Sequence, residues 1–245
     1  MVFKNSLNLF LLFSTIACFS QKEYSFDYFI HYEYTKYIDA ATTKSTDIYY
    51  VTNSEQNTYY AVATEADSLN FKIYLKGEDG IEARIPIPKK NLLESEDTQI
   101  EIPCASVFKY EENVRKYLMK VYAFSEKKDT LLDTKKYSSI SLFCTNPKRY
   151  ANRSIGSYQY IMEDSSSFFH LPILTSSLAL KKWEEDKKLP NTIYKEKIYT
   201  NNLGQLEFKE TLKSVRKVNL KVTISEDCDL SKRTIHTKGY ELSDE

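Results

Sequence analysis

Hydrophobic and polar positions alternate in short runs along most of this chain. Phe26, Tyr28, Ile30, Tyr32 and Tyr34 fall on one parity, and Asp27, His31, Glu33 and Thr35 on the other. A period of two marks a strand with one buried face. Ile48–Thr52 and Tyr59–Thr64 repeat the flavour, with Ser54–Asn57 as a turn between them. Leu69, Phe71, Ile73 and Leu75 then alternate with Asn70, Lys72, Tyr74 and Lys76. "GEDG" (77–80) turns the chain, supplying Gly where a positive φ is needed. Ile81, Ala83, Ile85 and Ile87 return, with Glu82 and Arg84 expected to face out. Pro86 and Pro88 cannot donate ladder hydrogen bonds, so this return strand should lie at an edge or stop pairing before Pro86.

Further strands are predicted at Ile100–Cys104, Tyr117–Phe124, Ser139–Cys144 and Ile155–Met162. A late hairpin is predicted at Ile193–Thr200 and Gln205–Leu212, with a last strand at Val218–Ile224. Tyr117–Phe124 is apolar on both parities, which predicts a central strand. One stretch breaks the alternation. In "TSSLALKKWEEDKKLP" (175–190), Thr175 or Ser176 can cap a helix running over 176–188, and Leu189-Pro190 stops it. Ala179, Leu180 and Trp183 share one stripe, while Lys181, Lys182, Glu184, Glu185 and Lys188 cover the rest. The pattern predicts a mainly β (α+β) fold: a curved antiparallel meander sheet or half-barrel, with one short helix packed on it as a cover.

The first residues carry a different signal. Lys4, an apolar run over Leu7–Phe19 and then Ser20 and Gln21 follow the pattern of a secretory leader. That run is too short to span a bilayer. The expected organisation is therefore a signal peptide over 1–20 and a single β-rich domain over 21–245, with a frayed tail after about residue 225. The expected location is secreted or periplasmic after cleavage near Ser20, the alternative being a lipoprotein acylated at Cys18.

Composition narrows the function by exclusion. Basic and acidic residues are equal in number at 34 each, so nothing favours nucleic acid or a cationic partner. Tyr is abundant at 20 residues, and its ring and hydroxyl suit half-buried strand faces. Three Cys follow the leader, Cys104, Cys144 and Cys228, and an oxidising compartment permits one disulfide among them. Strand parity turns Cys104 and Cys144 inward and makes them the expected pair if a disulfide forms, three unpaired thiols being the alternative. Cys228, in polar "SEDCDLS", is expected to be exposed.

Candidate chemistry is sparse. His31 and Glu33 share a strand face near Asp27, but a metal site needs a further ligand and an open position, and a solvated polar face is the simpler reading. Ser125-x-x-Lys128 and Ser214-x-x-Lys217 match the serine acylase spacing without its helix or partner motifs. No G-x-S-x-G, H-E-x-x-H, GxGxxG or P-loop is present. Asn152-Arg153-Ser154 reads as a chance glycosylation sequon. His170, between Phe169 and Leu171, reads as a hydrogen-bonded structural group. The sequence therefore predicts a non-catalytic protein without cofactor or metal. The large residues Trp183, Leu180, Phe26, Tyr28, Tyr32 and Phe71 are the candidate lining of an apolar ligand groove or of the cover's seat. A filled core is the alternative.

"FSQ" (19–21), the Tyr-rich "FDYFIHYEYTKY" (26–37) and "FHLPIL" (169–174) together resemble uncharacterised secreted β-rich proteins of Bacteroidota. The organisation is similar to the GLPGLI-type family and, more distantly, to lipoprotein-carrier-like half-barrels. The carrier resemblance implies a concave apolar face that holds acyl chains. The expected function is thus a secreted or cell-envelope protein binding an apolar ligand or a partner protein. The alternatives are a structural or interaction module with a filled core and, last, a hydrolase with a dispersed site.

Overall fold

The structure is a computed structural model. It describes residues 22–39, 41–94, 97–110, 114, 116–146, 156–163, 169–225, 228 and 234–235. The leader and cleavage point expected from the sequence, Cys18, the sequon at 152–154 and the tail over 236–245 lie outside the described residues.

Aromatic and β-branched residues in alternation give one open sheet of 14 strands. Five strands form an N-terminal meander: β1 (Lys22–Tyr37), β2 (Thr43–Thr52), β3 (Tyr59–Glu65), β4 (Asn70–Gly77) and β5 (Ile81–Pro88). Helix α1 (Lys89–Leu93) leads to β6 (Asp97–Ile102), and a 3-10 turn at Cys104–Ser106 leads to β7 (Val107–Tyr110). Next come α2 (Lys116–Val121), β8 (Tyr122–Phe124), β9 (Lys128–Leu132), β10 (Lys135–Cys144) and β11 (Ser157–Met162). The chain ends through α3 (Ser177–Asp186), β12 (Tyr194–Thr200), β13 (Leu206–Ile224) and β14 (Thr234–Ile235).

The strand order is β14-β7-β5-β4-β3-β2-β1-β13-β12-β11-β10-β8, with β6 on β13 and β9 on β10. The expected β-rich, curved antiparallel sheet is observed, with two parallel pairings added, β6 on β13 and β14 on β7. The curl follows from chain length. From β6 through β13, β1, β2, β3, β4 and β5 to β7, a flat sheet would be about 34 Å wide at ~4.8 Å per strand. Yet Pro103–Ser106 alone connects Ile102 of β6 to Val107 of β7, and five such steps reach at most about 18 Å. The two edges must turn toward each other, and the sheet wraps a core without closing. Phe26, Phe29, Val51, Phe71, Ile73, Leu75, Val107, Leu220 and Val222 belong to that core. Arg216 reaches across from β13, its guanidinium over the Phe29 ring and bonded to the Leu92 carbonyl of α1.

The opposite face of the central strands is also buried. On β1, Tyr28 and Ile30 belong to a second cluster, while Phe29 between them belongs to the first. This second cluster is covered by α2 and α3 and continues over β10–β12.

Several sequence expectations need correction. Phe26 does not share a cluster with Tyr28, because the β1–β13 register shifts between them. Tyr117–Val121 is helical within α2, and only Tyr122–Phe124 remains a strand, on an edge. The late hairpin forms as β12 and β13, but its second arm and the expected last strand are one continuous 19-residue β13. Glu82 does not face solvent: it is buried, accepts from the Tyr74 hydroxyl and pairs with Arg84. Among the described residues the cover helix is accompanied by two shorter helices. Pro86 and Pro88 do lie where β5 has lost its β7 neighbour, which pairs only with Ile81–Ala83.

The disulfide joins Cys104 to Cys228, in place of the expected Cys104–Cys144 pair. Cys228 is buried, and Cys144 is half-buried, its thiol donating to the Asn146 carbonyl. The physical reason is topological. β6 runs parallel to the C-terminal half of β13, so both chains leave the sheet at the same end. Cys144 ends β10, three strands away from β13 and level with its N-terminal end.

Candidate binding face

The α3 side of the sheet gathers the chemistry. Ser176 caps α3 by accepting from the Ala179 N–H, and Lys187 closes it in a left-handed conformation, φ 51°. Leu178, Ala179, Leu180 and Trp183 face inward and are buried. The Trp183 indole N–H donates to the Leu189 carbonyl at 3.0 Å, and the Lys187 ammonium stands 3.5 Å from the ring centre. Lys182 donates to the Met119 carbonyl of α2, and Lys188 pairs with Glu126. The helix is thus seated by an apolar stripe and laced at its rim by lysines, the arrangement its sequence predicts.

Residues 169–176 form a strap that feeds α3. The Leu171 N–H donates to the Ser54 carbonyl, and Ile173 and Leu174 are buried in the α3 cluster. His170 is 1% exposed. Its Nδ1 meets the Leu171 carbonyl, which only accepts, so Nδ1 carries the proton. Nε2 therefore accepts from the Thr52 hydroxyl at 2.9 Å. Tyr28 packs edge-on to the ring. Burial holds the imidazole below its ordinary value, partly opposed by the Leu171 hydrogen bond and the Asp27 carboxylate.

Under this layer lies a buried ion pair. Lys197 on β12 and Glu210 on β13 stand directly opposite each other, 2.6 Å apart, each side chain 3% exposed. Tyr50 and Tyr194 donate to the two Glu210 oxygens at 2.9 and 2.6 Å. The rings of Tyr50, Tyr194 and Phe208 surround the Lys197 ammonium at 5.6–5.7 Å, close enough for cation–π attraction. The Tyr32 hydroxyl donates to the Tyr194 carbonyl. Burial, with the Glu210 carboxylate adding to it, pushes the phenols of Tyr32, Tyr50 and Tyr194 well above their ordinary value. Burial does the same to Tyr160, where the neighbouring Tyr158 adds more than Glu210.

Strand register extends this centre into an aromatic row. Phe208, Tyr199 and Tyr158 are direct cross-strand neighbours on β13, β12 and β11. Their rings lie 5.1 and 4.8 Å apart, and Tyr34 joins Phe208 at 5.2 Å. All four are only half-buried. At that end of the sheet the turns after β1 and β12 bring up exposed Ile38, Leu203 and Leu206.

The predicted lining residues thus divide. Trp183, Leu180, Tyr28 and Tyr32 come together under α3, whereas Phe26 and Phe71 sit in the other core. No groove opens among them: the two best-formed hollows measure about 10 and 20 Å³, room for about one water each. His31, Glu33 and Asp27 have separate partners, in Asp47, Lys213 and Ser54. Among the described residues no cluster of metal-ligating side chains forms. Lys197 and Glu210 were missed. Their signal was the "NNLG" turn, whose hairpin register sets a lysine against a glutamate on an otherwise aromatic face.

No family model matches the chain, and no curated protein matches it. Solved structures do. The complex structure of Pseudomonas aeruginosa MucA/MucB is similar at 8% identity and a TM-score of 0.37, covering 78% of this chain and 51% of that one. A crystal structure of MucB with MucA(peri) gives 6% and 0.35, covering 78% and 50%. A LolA superfamily protein from Nitrosomonas europaea gives 9% and 0.29, covering 78% and 86%. The chain spans about half the length of the two Muc structures it matches. No described helix is long and apolar enough to cross a membrane.

Proposed function

We propose that the chain is a non-catalytic protein of the cell envelope that binds an apolar ligand on the α3 face. The observation that carries this reading is the half-buried aromatic row of Tyr34, Phe208, Tyr199 and Tyr158 on the face that α3 covers. A stacked aromatic surface beside a helix seated by four apolar side chains suits an acyl chain or a similar apolar segment. Entry requires α3 and its strap to lift, because the two best-formed hollows have room for about one water each. Export through the 1–20 leader, and the resemblance of the first strand to secreted Bacteroidota proteins, belong to the same reading.

The filled interior favours a second reading, a protein-interaction module whose aromatic row is the docking surface. Native mass spectrometry of the protein purified from its envelope fraction separates the two. Co-purified lipid, lost in a Tyr199→Ala/Phe208→Ala variant, supports the carrier reading. Protein free of lipid that also fails to take up a fluorescent fatty acid refutes it.

A further inference from the structure

We propose that the two turns at one end of the sheet, after β1 and after β12, dock the protein end-on against a lipid surface that carries anionic headgroups. The inference goes beyond the ligand reading and does not depend on it.

Strand register places the apolar side chains. Lys36 of β1 stands opposite Lys44 of β2 on one side and opposite Phe208 of β13 on the other. Cross-strand partners share a face, and Phe208 fixes that face as the one that carries the aromatic row. Two positions further out, the Ile38 N–H still donates to the Thr42 carbonyl, and Leu206 still pairs with Thr200 of β12. Ile38 is 61% exposed, Leu206 38%, and Leu203, in the turn between β12 and β13, 73%. A single exposed leucine is ordinary on a protein surface. Here three aliphatic side chains sit on two adjacent turns, with the aromatic row directly behind them.

The layers match those of a bilayer surface. At ~3.3 Å per residue, Ile38 stands about 7 Å beyond the level of Lys36, Lys44 and Phe208, within the ~5–10 Å to which interfacial segments sink. The aliphatic tips would reach the acyl boundary, the rings of Phe208 and Tyr199 would lie at headgroup level, and Lys44 would meet phosphates. Lys44 is exposed, and on this face of β1, β2, β12 and β13 no carboxylate stands outward of the buried Glu210. Asp39, in the turn itself, directs its carboxylate at the N–H groups of Ala41 and Thr42. Backbone groups that approach an apolar boundary must be satisfied within the protein, and the second turn also does this. The Asn201 side chain accepts from the Leu203 and Gln205 N–H groups, and its backbone bonds Gly204 and Gln205. Gly204 supplies the φ of 80° that closes the turn. Aliphatic side chains protruding from convex turns give a shaped partner no pocket to fill, whereas a fluid surface needs none.

The test is co-flotation of the full mature protein with vesicles of phosphatidylcholine alone and of phosphatidylcholine with phosphatidylglycerol in equal parts. The expected result is association with the anionic vesicles that weakens as salt is raised. Ile38→Ser/Leu203→Ser should lower partitioning at least about tenfold, with an unchanged urea midpoint because both side chains are exposed. Lys44→Gln should lower it about fivefold, on the anionic vesicles only. Leu131→Ser, at the opposite end of the sheet and 75% exposed, should change nothing. The proposal is overturned by no association with either vesicle, by association unchanged in the double variant, or by an equal loss in Leu131→Ser. An envelope protein captured through Ile38 and Leu203 by a chain that ignores vesicles also overturns it, in favour of protein docking. Fatty-acid uptake is scored separately. Vesicle association without uptake refutes the ligand and leaves the docking tip standing, and uptake by a chain that ignores vesicles does the reverse.

Discussion

Replacing Lys197 by Met should destabilise the protein by about 3–5 kcal/mol, because it strands Glu210 in the core. At 2.6 Å and an effective dielectric constant of about 20, the attraction between the two charges is about 6 kcal/mol. Desolvating two ions costs several kcal/mol each, so the intact pair contributes little net stability. The exposure of 3% on each side removes solvent screening as a way out. Glu210→Gln should cost a similar amount, since it leaves the ammonium with neutral partners, the Tyr50 hydroxyl and the rings of Tyr50, Tyr194 and Phe208, and no counter-charge. The double variant Lys197→Met/Glu210→Gln buries no charge, and its amide oxygen still accepts from Tyr50 or Tyr194. It should therefore be more stable than either single variant. Urea melts of the four proteins measure this, provided their slopes agree. A double variant that loses the sum of the two single losses would refute the reasoning, for the residues would then be acting independently.

Trp183→Ala should cost about 3–5 kcal/mol by emptying the seat of α3, read as a lowered urea midpoint, and the wild-type emission should be that of a buried indole at neutral pH. Cys104→Ser should cost about 5 kcal/mol, the loop entropy of a 124-residue closure, and reductant should lower the wild-type midpoint by as much. Tyr32, Tyr50, Tyr160 and Tyr194 should stay protonated through the ordinary phenol range. Their contribution is whole below about pH 10 and is lost as pH rises through the elevated folded values, so tyrosinate absorbance should appear in two stages, the second with unfolding. N-terminal sequencing of the exported protein should begin at Gln21, and a chain retaining Met1 would defeat the leader assignment.

What could be read from the sequence was local. The β4–β5 hairpin was legible because period two, a Gly-bearing turn and paired prolines agree over fewer than 20 residues. α3 was legible because cap, stripe and stop fall in one window. Tyr117–Val121 was not, since an apolar run on both parities fits a buried strand and a short helix equally. The disulfide partner was not legible either. Parity turned Cys104 and Cys144 inward, but pairing depends on β6 crossing to β13, a register between segments about 120 residues apart. The same holds for the binding face. Its rows are set by the β1–β13 register and by bulges at Phe26/Tyr28 and Tyr199/Thr200, and each bulge moves side chains between faces without a mark in composition.

The placement of β1 between β2 and β13 governs how this chain can be made. Lys22 pairs with Ile224 and Lys36 with Phe208, so during synthesis β1 finds β2 at once and β13 only after the segments between them have been made. At about 5–20 residues per second that interval is roughly 10–40 s. Throughout it, an aromatic strand of 16 residues carries an unsatisfied ladder along one side, a template for pairing with any other nascent chain. The search for β13 also closes a loop that holds every strand from β2 to β12, and such long-range pairing is slow. Until β13 is made, that open edge is where one copy of this chain can capture another.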